Sequence, residues 1–306
     1  MRNKSRLKRK IKKFYPLYIM MFPGFLYLAI NNYVPMAGIV IAFKKYSARK
    51  GMWGSDWAGL ANFEYLFKGD VGIIIRNTLL YNIAFIVINL IFCVAVAIII
   101  SDIANRRAKK LYQSAILLPY LVSVVVISYV VYAFLATDDG MINNLLIHMG
   151  KTPVQWYSEP KYWPFILCFV NLWKSLGFGC LIYMAGIAGI DPSFYEAAKL
   201  DGAAKWKQIR HITLPALVPS IITLLLLNIG RIFNSDFGLF YQVPQNSGAL
   251  YEVTSTIDTY VYRALISAGG IGRSSAACVF QSVVGFSLVF LCNQIINRVS
   301  KENAVF

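Results

Sequence analysis

The chain has 306 residues, of which 58% are apolar and 15% aromatic, with a mean hydropathy of +0.56 and a formal net charge of +16. An apolar share above the roughly 45–50% of ordinary soluble domains excludes a soluble globular protein and predicts a chain that lives in a bilayer. The surplus of Lys and Arg abuts an apolar segment, so topology and attraction to anionic lipid account for it and no nucleic-acid partner is expected.

In chain order, the first 13 residues carry eight basic side chains, from Arg2 to Lys13, and no acid, which predicts a basic cytoplasmic tail over 1–16. Apolar stretches then fall at 17–43, 76–100, 113–136, 162–190, 214–236 and 276–297. Each is long enough to cross a hydrocarbon core of about 30 Å, which takes about 20 helical residues. Lipid offers no partner to backbone polar groups, and these runs lack the alternation of barrel strands, so six transmembrane helices are expected. The first run is longer than the apolar region of about 7–15 residues in a signal peptide and is read as an uncleaved helix.

A second basic cluster, Arg106, Arg107, Lys109 and Lys110, belongs on the cytoplasmic side with the N-terminus. Alternation then puts 191–215 and a C-terminal tail over 299–306 inside, and segments 44–75, 137–161 and 237–273 outside. The expected organisation is therefore a basic tail (1–16), a first span (17–43), an outer loop (44–75), a five-helix core (76–298) and a short tail (299–306) in the cell membrane.

Signals for covalent chemistry are absent. Cys93, Cys168, Cys180, Cys278 and Cys292 lie in predicted spans without ligand spacing, and read as small apolar fillers. His148 and His211 are isolated. Gly150-Lys151-Thr152 has Leu145 where a phosphate-binding loop requires its earlier glycine, and Gly269-Gly270-Ile271-Gly272 lacks the preceding strand of a dinucleotide fold. No metal site and no convergent catalytic set emerges.

The informative segment lies between the fourth and fifth spans. Asp191-Pro192 is a helix start, with a capping side chain and a proline in the first turn, and Glu196-Ala197-Ala198-Lys199-Leu200 is strong helix former. Asp201-Gly202 supplies a turn, Ala203 to His211 a second short helix, and Leu214-Pro215 the entry to the next span. Local capping, with Ser193 and Glu196 as a capping box, explains pieces of this pattern. It leaves unexplained the whole spacing from Glu196, Ala197 and Ala198 through Asp201 and Gly202 to Ile212, Leu214 and Pro215.

That spacing resembles the cytoplasmic loop by which the membrane subunit of an ABC importer docks on its ATPase. The resemblance continues over nearly the whole chain. Phe22-Pro23, Tyr33-Val34-Pro35, Ile41-Ala42-Phe43-Lys44 and Leu60-Ala61-Asn62-Phe63 look like the start of carbohydrate ABC permeases. Residues Ser255 to Arg263, Ser275-Ala276-Ala277 and Phe280 to Gly285 are similar to the polysaccharide-type, LplB-like branch common in Gram-positive bacteria.

The resemblance implies the transmembrane fold of a type I importer with cytoplasmic coupling helices, and a non-enzymatic permease subunit. It implies as partners a second, homologous permease in a heterodimer, two ATPase subunits that bind the ATP and Mg, and an extracellular solute-binding protein that delivers an oligosaccharide. This chain itself would bind no cofactor. A permease for a small sugar or polyol is the alternative, and a channel or secondary transporter would need no docking loop.

For the solute path, polar groups inside spans are the candidates, because lipid makes them costly. They are Asn82, Asn89, Asn171, Lys174, Asn228, Arg231, Asn234 and Asp236, with the aromatic faces of Tyr81, Phe85, Trp173, Phe233 and Tyr241 to complement sugar rings. Arg231, Asn234 and Asp236 are expected within one helical turn at the outer end of the fifth span. Helix–helix packing is the competing role for the amides, and an ion pair tying the helix to a loop for the charged residues.

Overall fold

The computed structural model describes residues 2–64, 71–266 and 270–299, and these are almost wholly helical. Contacts divide the chain into two compact units, positions 1–68 with 264–279, and positions 69–263 with 280–306. The expected C-terminal tail over 299–306, apart from Val299, lies outside the described residues.

In the first unit, α1 (Arg2–Leu28) continues through a π turn at Ala29–Tyr33 and a 3-10 stretch at Ala37–Phe43. Pro35 follows the π turn, and its ring would clash with the carbonyl of Asn31 in a regular α-helix, so the widened turn takes up the clash. The apolar side chains from Phe14 to Met36 are exposed, as suits a helix solvated by lipid.

A two-residue antiparallel ribbon, Lys44–Lys45 against Asp56–Trp57, closes the following loop. Asn62 anchors it, its Nδ2 donating to Ala42 O and Lys44 O at 2.9 Å each, while Phe63 packs on Phe43 at 5.2 Å between ring centroids.

The second unit is built around α2 (Val71–Ser101) and α6 (Trp163–Ala188), which pack along each other. Between them in sequence come α3 (Arg106–Leu121), α4 (Val124–Leu135) and the short α5 (Met141–His148). One core cluster joins Tyr81, Phe85, Trp163, Leu167 and Phe240, and a second joins Cys93, Ala97, Cys180, Tyr183 and Leu217. Glycine lets α3 approach α6, since a Cβ on Gly177 would stand 2.1 Å from the carbonyl oxygen of Ile116.

The chain continues through α7 (Pro192–Leu200), a short helix at Lys205–Gln208, a π turn at Ile209–Thr213 and α8 (Leu214–Gly230). After α9 (Phe237–Gln242) come α10 (Ile257–Ile266) and α11 (Ile271–Val299).

Among the described residues, five stretches are long and apolar enough to cross a membrane: Phe14–Phe43, Gly72–Ser101, Pro160–Ala188, Lys205–Gly230 and Ile271–Gln294. The expected third span, 113–136, is instead α3 and α4 meeting at 96°, and the count reaches six if that pair is one span. Two local causes act together: Pro119 withholds a donor from the last turn of α3, and the Ser123 hydroxyl accepts from Val126 N–H to start a new helix.

The expected fifth span, 214–236, is corrected at both ends. Its helix begins at Lys205, without a separate Ala203–His211 helix, because the π turn at 209–213 absorbs the clash between Pro215 and the carbonyl of His211 and keeps the rod continuous. It stops at Gly230, where α11 crosses so closely that a Cβ on Gly285 would lie 2.6 Å from the carbonyl oxygen of Gly230.

Candidate functional site

The segment 191–215 joins the end of α6 to α8 through a chain of local signals. Asp191 caps α7, its Oδ1 accepting from Ser193 N–H at 2.9 Å. The Ser193 N–H and side chain together hold the Asp191 carboxyl below its ordinary range. The cap is thus Asp191, as the Asp191-Pro192 start predicts, and not the alternative capping box of Ser193 with Glu196.

α7 ends in a Schellman turn: Ala203 N–H donates to Ala198 O at 2.8 Å and Gly202 N–H to Lys199 O at 3.0 Å. Gly202 has φ +74°, the left-handed region that favours glycine.

One contact ties the segment to the end of α2 and two brace it from within. Tyr195 Oη lies 2.9 Å from Thr213 Oγ1, Lys205 pairs with Asp102 at the end of α2, and Gln208 Nε2 donates to Ala203 O at 2.8 Å. A cavity of about 230 Å³, lined in part by Asp102, Ile187, Tyr195 and Gln208, lies in the crook between them. Glu196, Ala197, Asp201, Gly202 and Pro215 are exposed, while Ala198, Ile212 and Leu214 are half-buried.

The same segment bares side chains that spacing alone did not single out. Phe194 is 61% exposed, Trp206 69% and Leu200 89%, amid Lys199, Asp201 and Lys205. Large apolar groups interleaved with charges suit a protein surface that receives a partner better than they suit lipid. The detectable signal was the presence of three bulky apolar residues in a short charged connector, too few and too scattered for a core.

The candidate path residues separate into three sets. Tyr81 and Phe85 belong to the buried core, with Phe240 at 4.8 and 6.0 Å between centroids, and Phe233 is likewise buried against Phe280. In this conformation packing occupies their faces, so the structure does not bring them to a path.

Asn89 and Asn171 join α2 to α6, Asn89 Nδ2 donating to Asn171 Oδ1 at 3.0 Å, while Asn89 Oδ1 is buried without a hydrogen-bond partner among the described residues. Asn89 and Asn228 line a groove of about 260 Å³ with Ser175, Phe178 and Tyr183 between α2, α6 and α8. Trp173 is exposed on α6.

The third set sits where α8 stops. Arg231, Asn234 and Asp236 do not share a helical turn, because Gly230 ends α8 and Asp236 caps α9 through Leu239 N–H at 3.1 Å. Asp236 pairs with Lys174 of α6 at 3.2 Å, the side chains 43% and 21% exposed, so the tie between helix and loop is present. Arg231 and Asn234 are exposed. Tyr241 stacks on Phe237 at 4.9 Å and meets Tyr262 edge-on at 5.1 Å, a half-open aromatic cluster beside the interruption. Asn82 is not free to line a path, since its Nδ2 donates to Ile232 O at 2.9 Å and Asn234 O at 3.1 Å.

Comparison with known proteins adds to this geometry. Residues 99–301 match the family described as binding-protein-dependent transport system inner membrane component. The polygalacturonan/rhamnogalacturonan transport system permease protein YteP of Bacillus subtilis is 33% identical over 300 residues, covering 98% of this chain and 93% of that protein. Protein LplB of the same organism is 33% identical over 291 residues, covering 94% and 90%.

Among solved structures, a bacterial ABC transporter involved in the import of the acidic polysaccharide alginate superposes with a TM-score of 0.87 at 30% identity, covering 96% of this chain and 99% of that one. The same coverage of the neighbour and the same TM-score hold for the alginate transporter in complex with an alginate pentasaccharide-bound periplasmic protein.

Proposed function

We propose, from the premise that this chain belongs to the family of binding-protein-dependent transport system inner membrane components, that it is the permease subunit of an ABC importer for an oligosaccharide or polysaccharide fragment. It is a multi-pass membrane protein and a transport subunit, not an enzyme. A second, homologous permease completes the path as a heterodimer. Two ATPase subunits bind ATP and Mg²⁺, and an extracellular solute-binding protein delivers the glycan, consistent with the periplasmic protein bound to the alginate transporter. The Bacillus relatives support a Gram-positive source and a glycan of the pectic or acidic kind.

The observation that carries the reading is the segment 191–215. It is tied to α2 by Lys205–Asp102, braced from within by Tyr195–Thr213 and continuous with α8, and it offers Phe194, Leu200 and Trp206 to a partner. A stiff segment so anchored transmits a push on its exposed face to the helices behind it. Glu196 adds a carboxylate for a donor on the ATPase, and Ala197, Ala198 and the Gly202 turn keep the surface low enough to seat in a cleft. This end is then cytoplasmic, with both termini, and segments 44–75, 137–161 and 237–273 face the solute-binding protein.

The groove bearing Asn89 and Asn228 offers amide groups and the rings of Phe178 and Tyr183, the chemistry that holds sugars in passage. Asn171 supports it from behind, while Arg231, Asn234, Asp236, Trp173 and Tyr241 belong to its outer end.

The test is to purify the tagged chain in mild detergent, identify co-purifying proteins by mass spectrometry, and repeat with Leu200→Glu. The wild type should bring a second permease and an ATPase. The variant, altered at a side chain that packs against almost nothing in this chain, should insert normally yet lose the ATPase and uptake. Retention of the ATPase by Leu200→Glu at the wild-type level would refute the docking assignment.

A further inference from the structure

Neither the docking segment nor the groove uses the sequence patterns around Ser255–Arg263 and Phe280–Gly285, yet their polar side chains converge on the interruption 231–236. Asp258 of α10 accepts from Ser235 N–H, and its Oδ2 lies 2.8 Å from the Ser235 hydroxyl. Gln281 of α11 donates through Nε2 to Phe233 O at 2.7 Å and reaches Asp258 Oδ2 at 3.5 Å. From α2, Asn82 takes the carbonyls of Ile232 and Asn234, and Thr78 Oγ1 accepts from Ile257 N–H at 3.0 Å. Thr256, 2.7 Å from the Ser235 hydroxyl, is fully buried, as is Thr78.

A helix that stops inside a bundle frees backbone donors and acceptors, and these must find partners. Here side chains from three helices remote in sequence supply them. Undocking the interruption would break together a buried hydrogen bond to Phe233 O and part-buried ones at Ile232 O, Ser235 N–H and the Asp258 carboxylate, so this end of α2, the interruption and the start of α10 resist separating and move as one body.

We propose that Asn82, Asp258 and Gln281 are positioning residues that keep the interruption docked throughout the transport cycle, so that Arg231 and Asn234 form a preformed polar wall of the solute path. The proposal rests on the transport reading and names the frame on which the selectivity of that path depends. It also gives the Ser255–Arg263 and Phe280–Gly285 patterns a physical role, since Asp258 and Gln281 are the two members that reach the freed backbone of α8.

The test uses the complete importer in liposomes with its ATPase and loaded binding protein. Phe233→Cys and Phe280→Cys, whose rings meet at 5.9 Å between the interruption and α11, are combined and joined by a short bifunctional thiol reagent with a reducible link, each single variant serving as control. Uptake and ATPase turnover after cross-linking should stay within about twofold of the same double variant before cross-linking. Loss of both on cross-linking, reversed by reductant, would show that the interruption must undock and would overturn the proposal.

In parallel, Asp258→Ala should lower the solute moved per ATP by about threefold or more, and Asp258→Asn, which keeps an acceptor in place, should restore most of it. A ratio unchanged in Asp258→Ala would reduce the residue to a merely structural one. If that variant does not assemble, the cross-link decides alone. Wild-type complex that hydrolyses ATP but moves no glycan would count against the transport reading only, because the cross-link is also scored on ATP turnover.

Discussion

Replacing Gly202 isolates the conformational demand of the turn that ends α7. Its φ of +74° lies in the left-handed region, and a Cβ there would meet no atom of the described chain within 4 Å. The penalty for an L-residue is therefore backbone strain without a clash, about 1–2 kcal/mol for alanine and less for asparagine, which enters that region more readily. Since about 1.4 kcal/mol is a factor of ten in an equilibrium, Gly202→Ala should open the turn about 5–30-fold more often.

The amides that report this are Ala203 N–H and Gly202 N–H, bonded to Ala198 O and Lys199 O. Their hydrogen exchange in the detergent-solubilised chain should accelerate by about that factor in the alanine variant. The alanine substitution leaves the Ala203 amide itself in place and changes only the residue before it. Asparagine should fall between glycine and alanine, and valine, with its branched side chain, should be worst. If asparagine accelerates exchange more than alanine, side-chain size and not φ governs the position, and the reasoning fails.

Gly177→Ala carries the opposite cost, a clash without strain. Its Cβ would sit 2.1 Å from the carbonyl of Ile116, backbone that cannot swing aside, so α3 must leave α6 at a cost of about 1–3 kcal/mol or more. A lower melting temperature in detergent is expected, and wild-type melting would refute the close approach. For Asp191, a carboxyl lowered in the folded chain stabilises the cap above the unfolded carboxylate range, at about pH 4, and that contribution is lost as pH falls through the lowered value. Proteolysis at α7 should accordingly rise on acidification in the wild type and change less in Asp191→Asn. Equal pH profiles would remove the cap from the account.

Where local chemistry dominates, sequence and structure agree closely. Asp191-Pro192 and Gly202 bracket α7 because a capping carboxylate, a proline in the first turn and a glycine beyond the end act within a few residues of themselves. Apolar length likewise located five long stretches, since crossing lipid demands a run of side chains whatever their neighbours. The bend between α3 and α4 was legible in principle from Pro119 followed by Ser123, but hydropathy averages over such pairs and reads one span.

The polar residues in the spans were another matter. Asn82, Asn89, Arg231 and Asp236 look alike as polar interruptions of apolar sequence, yet one holds a broken helix, one faces a groove, one is exposed and one caps a helix while pairing with Lys174. Tyr81 and Phe85 were equally plausible as sugar platforms until Phe240 covered them.

From its residues alone, then, this chain is a bundle of membrane helices with a capped polar segment between two of them, because spans, caps and charge bias are set by nearest neighbours and by the bilayer. Which polar groups are spent on the protein itself and which remain for a solute depends on partners such as Asp258 and Gln281, brought to Ser235 and Phe233 from 23 and 48 residues away. Those pairings exist only once α10 and α11 have packed, and no periodicity along the chain encodes them.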